Sequence, residues 1–557
     1  MGALDGPPGA PRDAIGRDEA ARRWADYRAQ IWRVNAARRG QFVRATTLRL
    51  LRPGSWLFRA VTRVAEPVLV ACRRRRGPLP VVSVAEFPEG AAGLATEQRR
   101  GSERDAPTMT RVVLGASDPR AADLVVRDLN GVLVGAREWI VVVDEADHVV
   151  PGALAAMADL GASRGADLVY ADEVTAGGRL VARTAALGPI GLLGADRAGR
   201  VTLFRRDALA RVGGFSAVAD WAFRHDAVTR LVEAGATTAH YPRVAATTDE
   251  SARYVGSLER ATRAALGRRG VTAVVGSASE VGAVPWRATP SRRPSVAIVV
   301  PTRDRVDLLE ACLRSVREHT AYPSYEVVVV DNDSVEPATR DYLSRSDARV
   351  VAAPGPFNYS AIINRGVAAT DAEVIVTLNN DVTVAQDDWL DQLVAVATMP
   401  GVGVVGVRLD EPDGRPQHEG IAVAPYPQNL RRDLNYVVAD AWLESTREAS
   451  AVTGACQAMR REVFDELGGL DERLVVVHND VDLCLRARRL GYSTVYLASV
   501  RLTHAEGSSR GSLTPEDDVV TFLARWDGFA GLDDPHFPEQ LELIGDVVRC
   551  RGARPYS

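Results

Sequence analysis

The chain has no lysine; all 68 of its basic residues are arginine. Schiff-base catalysis, pyridoxal-phosphate attachment and a P-loop lysine are thereby excluded. Cysteine is scarce. Cys72, Cys312, Cys456, Cys484 and Cys550 are scattered, odd in number and form no CxxC pair. That excludes a disulfide framework or zinc ribbon and fits a reducing compartment. No uninterrupted apolar run reaches the roughly 18 residues of a membrane span. Met1–Asp18 lacks the apolar core of a secretory leader, so a cytoplasmic protein is expected. A net charge of -4 over 557 residues gives no general affinity for nucleic acid.

What is present is ordinary globular material, 46% hydrophobic and 25% charged, enough for more than one core. Its charge is uneven. Residues 1–80 hold 17 arginines against 6 acids, a net charge of about +11, and end in Arg73-Arg74-Arg75-Arg76. Trp24, Trp32, Trp56 and Phe58 interleave with these charges. We expect a basic, helical extension that either packs on its own protein or makes a peripheral contact with anionic lipid on the inner face of the membrane.

Residues 277–296 are rich in Ser, Pro and Arg without periodicity, which places a linker at 281–295. Beyond it, apolar runs at Val296–Val300, Tyr325–Val330 and Glu373–Leu378 alternate with a helical pattern at 305–319. This predicts an α/β domain over 296–545 with a mostly parallel sheet and ligand-binding residues at the strand ends. A tail follows at 546–557. The first half repeats the second. RRDALARVGGF at 205–215 matches RREVFDELGGL at 460–470, and Asp226, Arg230 and Gly235 are spaced as Asp482, Arg486 and Gly491. WIVVVDEAD at 139–147 resembles VIVTLNNDV at 374–382. Divergent duplication is expected, with the first copy at 81–280.

Polar residues cluster at a few strand and helix ends. Asn379-Asn380-Asp381 follows a buried strand; its carboxylate would hold a hard divalent cation or close an Asx-turn. His478-Asn479-Asp480-Val481-Asp482 opens a helix, where Asp480 would be an ionised general base or a first-turn acid. Asp480 and Asp482 cannot share a helix face, so one of them is structural. His504 follows another apolar run, and Arg510 lies in a Ser/Gly-rich loop suited to phosphate oxygens.

The order of these motifs resembles the family 2 glycosyltransferases of the GT-A fold, in particular bacterial enzymes that add rhamnose or similar sugars to cell-surface glycans. The residues that carry the resemblance are VPTRDR (300–305), YPSYEVVVVDNDS (322–334), FNYSAIINRG (357–366), LNND (378–381), PQHEG (416–420), VTGACQAMRREVF (452–464), GGLDE (468–472), NDVDLCLR (479–486) and HAEGSSRG (504–511). It implies two tandem Rossmann-like GT-A domains, the first degenerate. It also implies Mg²⁺ or Mn²⁺ at Asp381 and His504, with Asp480 as base at an ordinary carboxylate pKa. Thr302, Asp331, Asn332, Asn364, Asn380 and Arg510 would surround the nucleotide-sugar. The reaction implied is inverting transfer from dTDP-rhamnose, UDP-galactofuranose or another UDP-sugar to a growing glycan or lipid-linked saccharide. By ungapped alignment Asp381, Asp480 and His504 become Ala146, Arg224 and about Thr248 in the first copy; an independent site on Asp144, Glu145 and Asp147 is the alternative. Two other functions fit these residues less well. A nucleotidyltransferase wants glycine and lysine where this chain has PTRDR, and a non-catalytic sugar-nucleotide scaffold would have lost Asp381 and Asp480. A processive synthase is also disfavoured, since no spans are expected and Arg525-Trp526 lacks the preceding Gln.

Overall fold

The computed structural model describes residues 15–38, 109–114, 130, 136–144, 147–176, 178, 180–248, 252–279, 281–424, 426–431, 441–505, 515–530, 534–544 and 547–550. The first sheet comprises β1 (Met109–Leu114), β2 (Trp139–Asp144), β3 (His148–Val149), β4 (Leu168–Thr175), β5 (Leu180–Val181), β6 (Thr202–Arg205) and β7 (Thr238–Thr248). Its order is β1-β2-β6-β4-β7-β3, with β5 on the flank of β4. A hairpin of β8 (Ala273–Val275) and β9 (Trp286–Ala288) follows.

The second sheet comprises β10 (Val296–Thr302), β11 (Tyr325–Asp331), β12 (Arg349–Ala352), β13 (Val374–Leu378), β14 (Val382–Thr383), β15 (Val402–Asp410), β16 (Pro416–His418), β19 (Arg447–Glu448), β20 (Cys456–Arg460) and β21 (Ser493–His504); β17 (Ile421–Ala422) and β18 (Gln428–Asn429) form a small hairpin beside it. The order is β12-β11-β10-β13-β20-β15-β21-β14, with β16 on β15 and β19 on β21. β10 and β13 read as near-continuous apolar runs because both their faces are covered.

The path β1-β2-β6-β4-β7-β3 repeats β10-β13-β20-β15-β21-β14, and each pairing keeps its sense. β1/β2 and β10/β13 are parallel, as are β4/β7 and β15/β21. β2/β6 and β13/β20, β4/β6 and β15/β20, and β3/β7 and β14/β21 are antiparallel. The sheets are therefore mixed, which corrects the expectation of a mostly parallel sheet: β6 and β20 run reversed inside them, β3 and β14 at an edge, and β5, β16 and β19 pair antiparallel on the flanks.

The principal helices are α1 (Arg17–Arg38), α2 (Ala153–Arg164), α3 (Phe223–Glu233), α4 (Ala252–Arg268), α5 (Val306–Glu318), α6 (Tyr359–Ala368), α7 (Trp389–Ala397), α8 (Asn479–Arg489) and α9 (Glu516–Ala530). α3 and α8 are counterparts of 11 residues each. Gly235 and Gly491, just beyond their ends, take the left-handed backbone (φ 75° and 87°) that a helix stop favours. Both carry the same internal staple. Asp226 holds Arg230, which donates to the Val212 carbonyl; Asp482 holds Arg486, which donates to the Leu467 carbonyl. Asp482 also accepts from Arg525 and the Trp526 indole, which makes it the structural member of the Asp480/Asp482 pair.

The halves are joined by buried contacts. Glu448 accepts from the Ile190 and Gly191 amides at 2.7 and 2.8 Å. Leu180 and Ala182 pack with Trp442, Phe537, Leu541 and Leu543. The stretch expected to be a loose linker contains β9, and Trp286 is buried in one core with Val296, Ile298 and Val300. α1 lies on α9, with Trp24 and Tyr27 buried against Tyr426 at ring separations of 4.7 and 5.1 Å. The described part of the basic extension thus packs on the protein; Trp56, Phe58 and the Arg73–Arg76 run lie outside the described residues. Among the described residues, no helix is long and apolar enough to cross a membrane.

Candidate active site

The carboxyl ends of β10, β11 and β13, the end of β21 and the start of α8 meet at one edge of the second sheet. Thr302 and Asp331 are neighbours across β10/β11, and the Asn332 amide donates to the Thr302 carbonyl at 2.9 Å. The Asn380 side chain donates to Thr302 Oγ1 at 3.1 Å, which brings the triplet after β13 to the same place. Asn332 Nδ2 is held by the Ala353 and Gly355 carbonyls, leaving Oδ1 buried without a hydrogen-bond partner. Asp331 Oδ1 accepts from the Ser334 amide and hydroxyl and so closes its own turn.

Backbone strain gathers at this edge. Asp304, Arg305, Asp333 and His478 are the described non-glycine residues with left-handed φ, between 53° and 63°. Three lie in the loops after β10 and β11, and His478 is the residue before α8. Such backbone persists only where surrounding contacts hold it, and it concentrates at binding sites. Here Asp304 Oδ1 accepts from the Val335 and Glu336 amides at 2.7 and 2.8 Å, tying one loop to the other.

Asp381 immediately precedes β14, whose Val382 pairs with His504. His504 Nε2 stands 3.1 Å from Asp381 Oδ1, and both residues are buried. The contact lacks hydrogen-bond geometry, so Oδ1 is a buried carboxylate oxygen without a hydrogen-bond partner. On its other side the imidazole is fixed, Nδ1 lying 2.7 Å from Gln417 Oε1. A carboxylate oxygen facing a ring nitrogen fits a divalent cation whose remaining ligands are diphosphate and water. Among the described residues no cluster of three or more His, Cys, Asp or Glu offers a complete protein cage.

Asp480 opens α8. Its Oδ2 accepts from the Gly454 amide and Oδ1 from the Val481 amide, each at 2.8 Å. Burial pushes its carboxyl above the usual range, against the pull of those amides, which corrects the expectation of an ordinary pKa. A chain of contacts joins it to the triplet: Tyr359 hydroxyl lies 3.0 Å from the Gly454 carbonyl and 3.3 Å from Asn379 Oδ1. A side chain at Gly454 would come within 3.3 Å of Asp480 Cβ, so glycine permits the close approach. Burial holds the neighbouring His478 neutral with a pKa of about 4, and its Nε2 meets the Tyr426 hydroxyl.

Asn364 is not brought to this edge by its hydrogen bonds. Its amide clasps the Leu470 backbone at 2.9 Å in both directions and donates to Glu472, tying α6 to the loop before α8. Arg510 lies outside the described residues. Sequence reasoning passed over Tyr359, Gln417, Gly454 and Tyr426 as individual residues. The first three stand inside motifs that carry the resemblance, and that membership was the available signal.

The corresponding edge of the first sheet is filled differently. Arg224 sits where α8 has Asp480, second in its helix. It donates to the Val142 carbonyl and to Asp144 Oδ2, at 3.2 and 3.1 Å. Arg200 pairs with Asp144 and reaches Asp147 at 3.3 Å. Burial pushes Asp144 up, but Arg224 and Arg200 outweigh it and hold the carboxyl below its usual value; burial raises Asp147. Thr248 occupies the register of His504, since Val174–Thr247 pairs as Asp410–Thr503 does. Glu145 and Ala146 lie outside the described residues.

The glycosyltransferase like family 2 model matches residues 294–526. The O-antigen biosynthesis protein RfbC of Myxococcus xanthus is 36% identical over 364 residues, covering 61% of this chain and 28% of that one. An N-acetylglucosaminyl-diphospho-decaprenol L-rhamnosyltransferase of Mycobacterium tuberculosis is 26% identical over 229 residues, covering 36% and 73%. The chain spans about a quarter of the length of the curated relatives that it matches at 41% and 36% identity. A solved mannosyltransferase from Pyrobaculum calidifontis aligns at 20% identity and TM-score 0.32 over 43% of this chain and 72% of that one.

Proposed function

We propose that residues 294–526, which match the glycosyltransferase like family 2 model, form a glycosyltransferase domain, and that the chain moves a sugar from a nucleotide-sugar to an acceptor hydroxyl with inversion, in a GT-A cleft. The observation that carries this reading is the pairing of two differently placed carboxylates at one sheet edge. Asp381 faces His504, Asp480 opens α8, and Asn379, Tyr359 and Gly454 link them.

In this reading Thr302, Asp331, Asn332 and Asn380 grip the nucleotide, with Arg510 on its phosphates. Asp381 and His504 would hold Mg²⁺ or Mn²⁺, which would supply positive charge against the diphosphate leaving group. Asp480 accepts the proton of the acceptor hydroxyl as that oxygen bonds the anomeric carbon and the bond to the diphosphate breaks. Proton transfer of this kind contributes about 10²–10⁴-fold. Displacement from the opposite face inverts the anomeric centre, and no glycosyl-enzyme intermediate is needed. The paired backbone amides on Asp480 orient its carboxylate toward the substrate rather than leaving it free to rotate.

The first half is, on this proposal, a GT-A copy kept for packing, its would-be base replaced by Arg224 and its carboxylates neutralised by arginine. dTDP-rhamnose is the leading donor and a UDP-sugar the second, acting on a growing cell-surface glycan or a lipid-linked saccharide. The names of the Mycobacterium and Myxococcus relatives support that choice. The test is a panel of nucleotide sugars against purified full-length protein, scored by donor hydrolysis and thermal shift with and without Mn²⁺. One donor should stand out, and Asp381→Ala should remove its Mn²⁺ dependence. Equal response to every donor, or an unchanged response in Asp381→Ala, overturns the proposal.

A further inference from the structure

Gln417 belongs to no expected site, yet it is the residue that meets the imidazole of His504. It is buried, its Oε1 lies 2.7 Å from His504 Nδ1, and its Nε2 approaches the His504 carbonyl at 3.4 Å. An amide oxygen can only accept, so this contact places the ring proton on Nδ1 and leaves the lone pair on Nε2. Nε2 is the atom that faces Asp381 Oδ1.

The backbone places Gln417 there by a local irregularity. On β15, Leu409 pairs with His418 and the next residue, Asp410, pairs with Pro416. Three residues of β16 therefore oppose two of β15, and Gln417 is the extra one. A bulge of this kind re-aims a side chain. The first sheet supplies the control. There β5 pairs with β4 at the same two rungs, Glu173 with Val181 and Val174 with Leu180, with no extra residue. The strand that would receive the side chain carries Thr248 where β21 carries His504. The bulge occurs in the half that has an imidazole to orient and is missing from the half that does not.

We propose that Gln417 is a positioning residue for cation binding: the β16 bulge exists to hold His504 in the tautomer whose Nε2 can act as a ligand. This rests on the reading that Asp381 and His504 hold the cation. Partners of this kind typically contribute about 10–100-fold to metal affinity.

The test is Mn²⁺ titration of the full chain, read from the disappearance of the free Mn²⁺ electron paramagnetic resonance signal, with no turnover involved. Gln417→Met keeps length but removes the acceptor and should weaken binding by about 10–100-fold. Gln417→Glu restores an acceptor and should bind at least as tightly as wild type. Asp381→Asn should abolish binding. Unchanged affinity in Gln417→Met while Asp381→Asn loses it overturns the inference and leaves the cation site standing. Equal weakening in Met and Glu variants also overturns it. If wild type takes up no Mn²⁺, or Asp381→Asn takes up as much, the cation reading falls and this inference with it. Gln417→Ala, with the melting temperature of the metal-free protein, serves if the Met variant misfolds.

Discussion

α3 and α8 occupy matching places beside the two sheets, and they differ at the residue proposed as the base. Each is 11 residues long, each stops at a left-handed glycine, and each holds an Asp–Arg staple that reaches back to a carbonyl before the helix. Their second residues are Arg224 and Asp480. In α3 that residue closes an ion pair onto Asp144 at the end of β2; in α8 it takes up two backbone amides and keeps part of its surface open. Packing residues and chemistry-bearing residues on one helix have therefore diverged independently. A buried staple is held by every contact around it, whereas a residue facing the cleft is held only by what the cleft must do.

The most severe test of that contrast is Asp480→Asn. Turnover should fall by at least about 10²-fold while donor affinity changes little, the pattern of an interaction made mainly in the transition state. Single-turnover rates with a labelled donor check it, and near-normal transfer would falsify the base assignment.

Asp482→Asn should act on stability instead. It strips a carboxylate from Arg486, Arg525 and Trp526 in a fully buried setting, at a cost of about 3–5 kcal/mol. Asp226→Asn should cost less, because its partners Arg230 and Arg268 are partly solvated. Urea denaturation of the two variants gives the comparison, and equal losses would mean that the staples are not graded by burial.

Acidification should weaken the second half through its histidines. Burial depresses His418 and His478 to about 4 and His536 to about 3. The unfolded chain takes up those protons near pH 6.5 and the folded chain refuses them. Their contribution is thus fully present above about pH 6.5 and is lost as pH falls toward the depressed values. Melting temperature should decline over that window, and a flat profile down to about pH 4 would count against it. The proposed reaction should have its own acid limb. With the Asp480 carboxyl raised by burial, kcat/KM should begin to fall at a higher pH than an ordinary aspartate allows.

Changes in the first half should be nearly silent for turnover. Replacing Asp144 and Asp147 together by Asn should leave it within a few-fold of wild type. A collapse in turnover at unchanged melting temperature would reveal a second working site. The smallest effect is expected at the amino terminus. Deleting residues 39–80, which leaves the packed α1 in place, should lower co-sedimentation with anionic vesicles if the extension touches lipid, and unchanged binding removes that idea. Trp24 and Tyr27 are already engaged by Tyr426, so any such contact must come from other residues of the segment.

The duplicated order of strands was legible because its markers are local. A Gly-Gly pair, an Asp–Arg spacing of four and an apolar run ending in polar residues survive in sequence without knowledge of any contact. The nearness of Asp381, His504 and Thr302 was legible for a related reason: Thr302 and His504 each end a strand, and Asp381 lies between the end of β13 and the start of β14. What could not be read depends on distant partners. Asn364 is taken by Leu470 and Glu472, more than a hundred positions away. Gln417 owes its direction to a bulge whose register is set by β15. The raised Asp480 carboxyl comes from what surrounds it in space, while its helix-start position argued for the opposite shift. The ordered stretch around Trp286 was hidden because its burial is supplied by the second sheet rather than by any periodicity of its own.

Glu448 has a consequence for how the molecule comes apart. Its carboxylate caps two amides of the first half from within the second, and a methyl group at Gly188 would already overlap it. Separating the halves breaks both hydrogen bonds and exposes the apolar surface that Leu180 and Ala182 share with Trp442 and Phe537 to water. Heating should therefore melt both sheets in one calorimetric transition, with the van't Hoff enthalpy approaching that of the whole chain rather than of a single sheet. On this view the first half persists because the second has no independent melting point of its own.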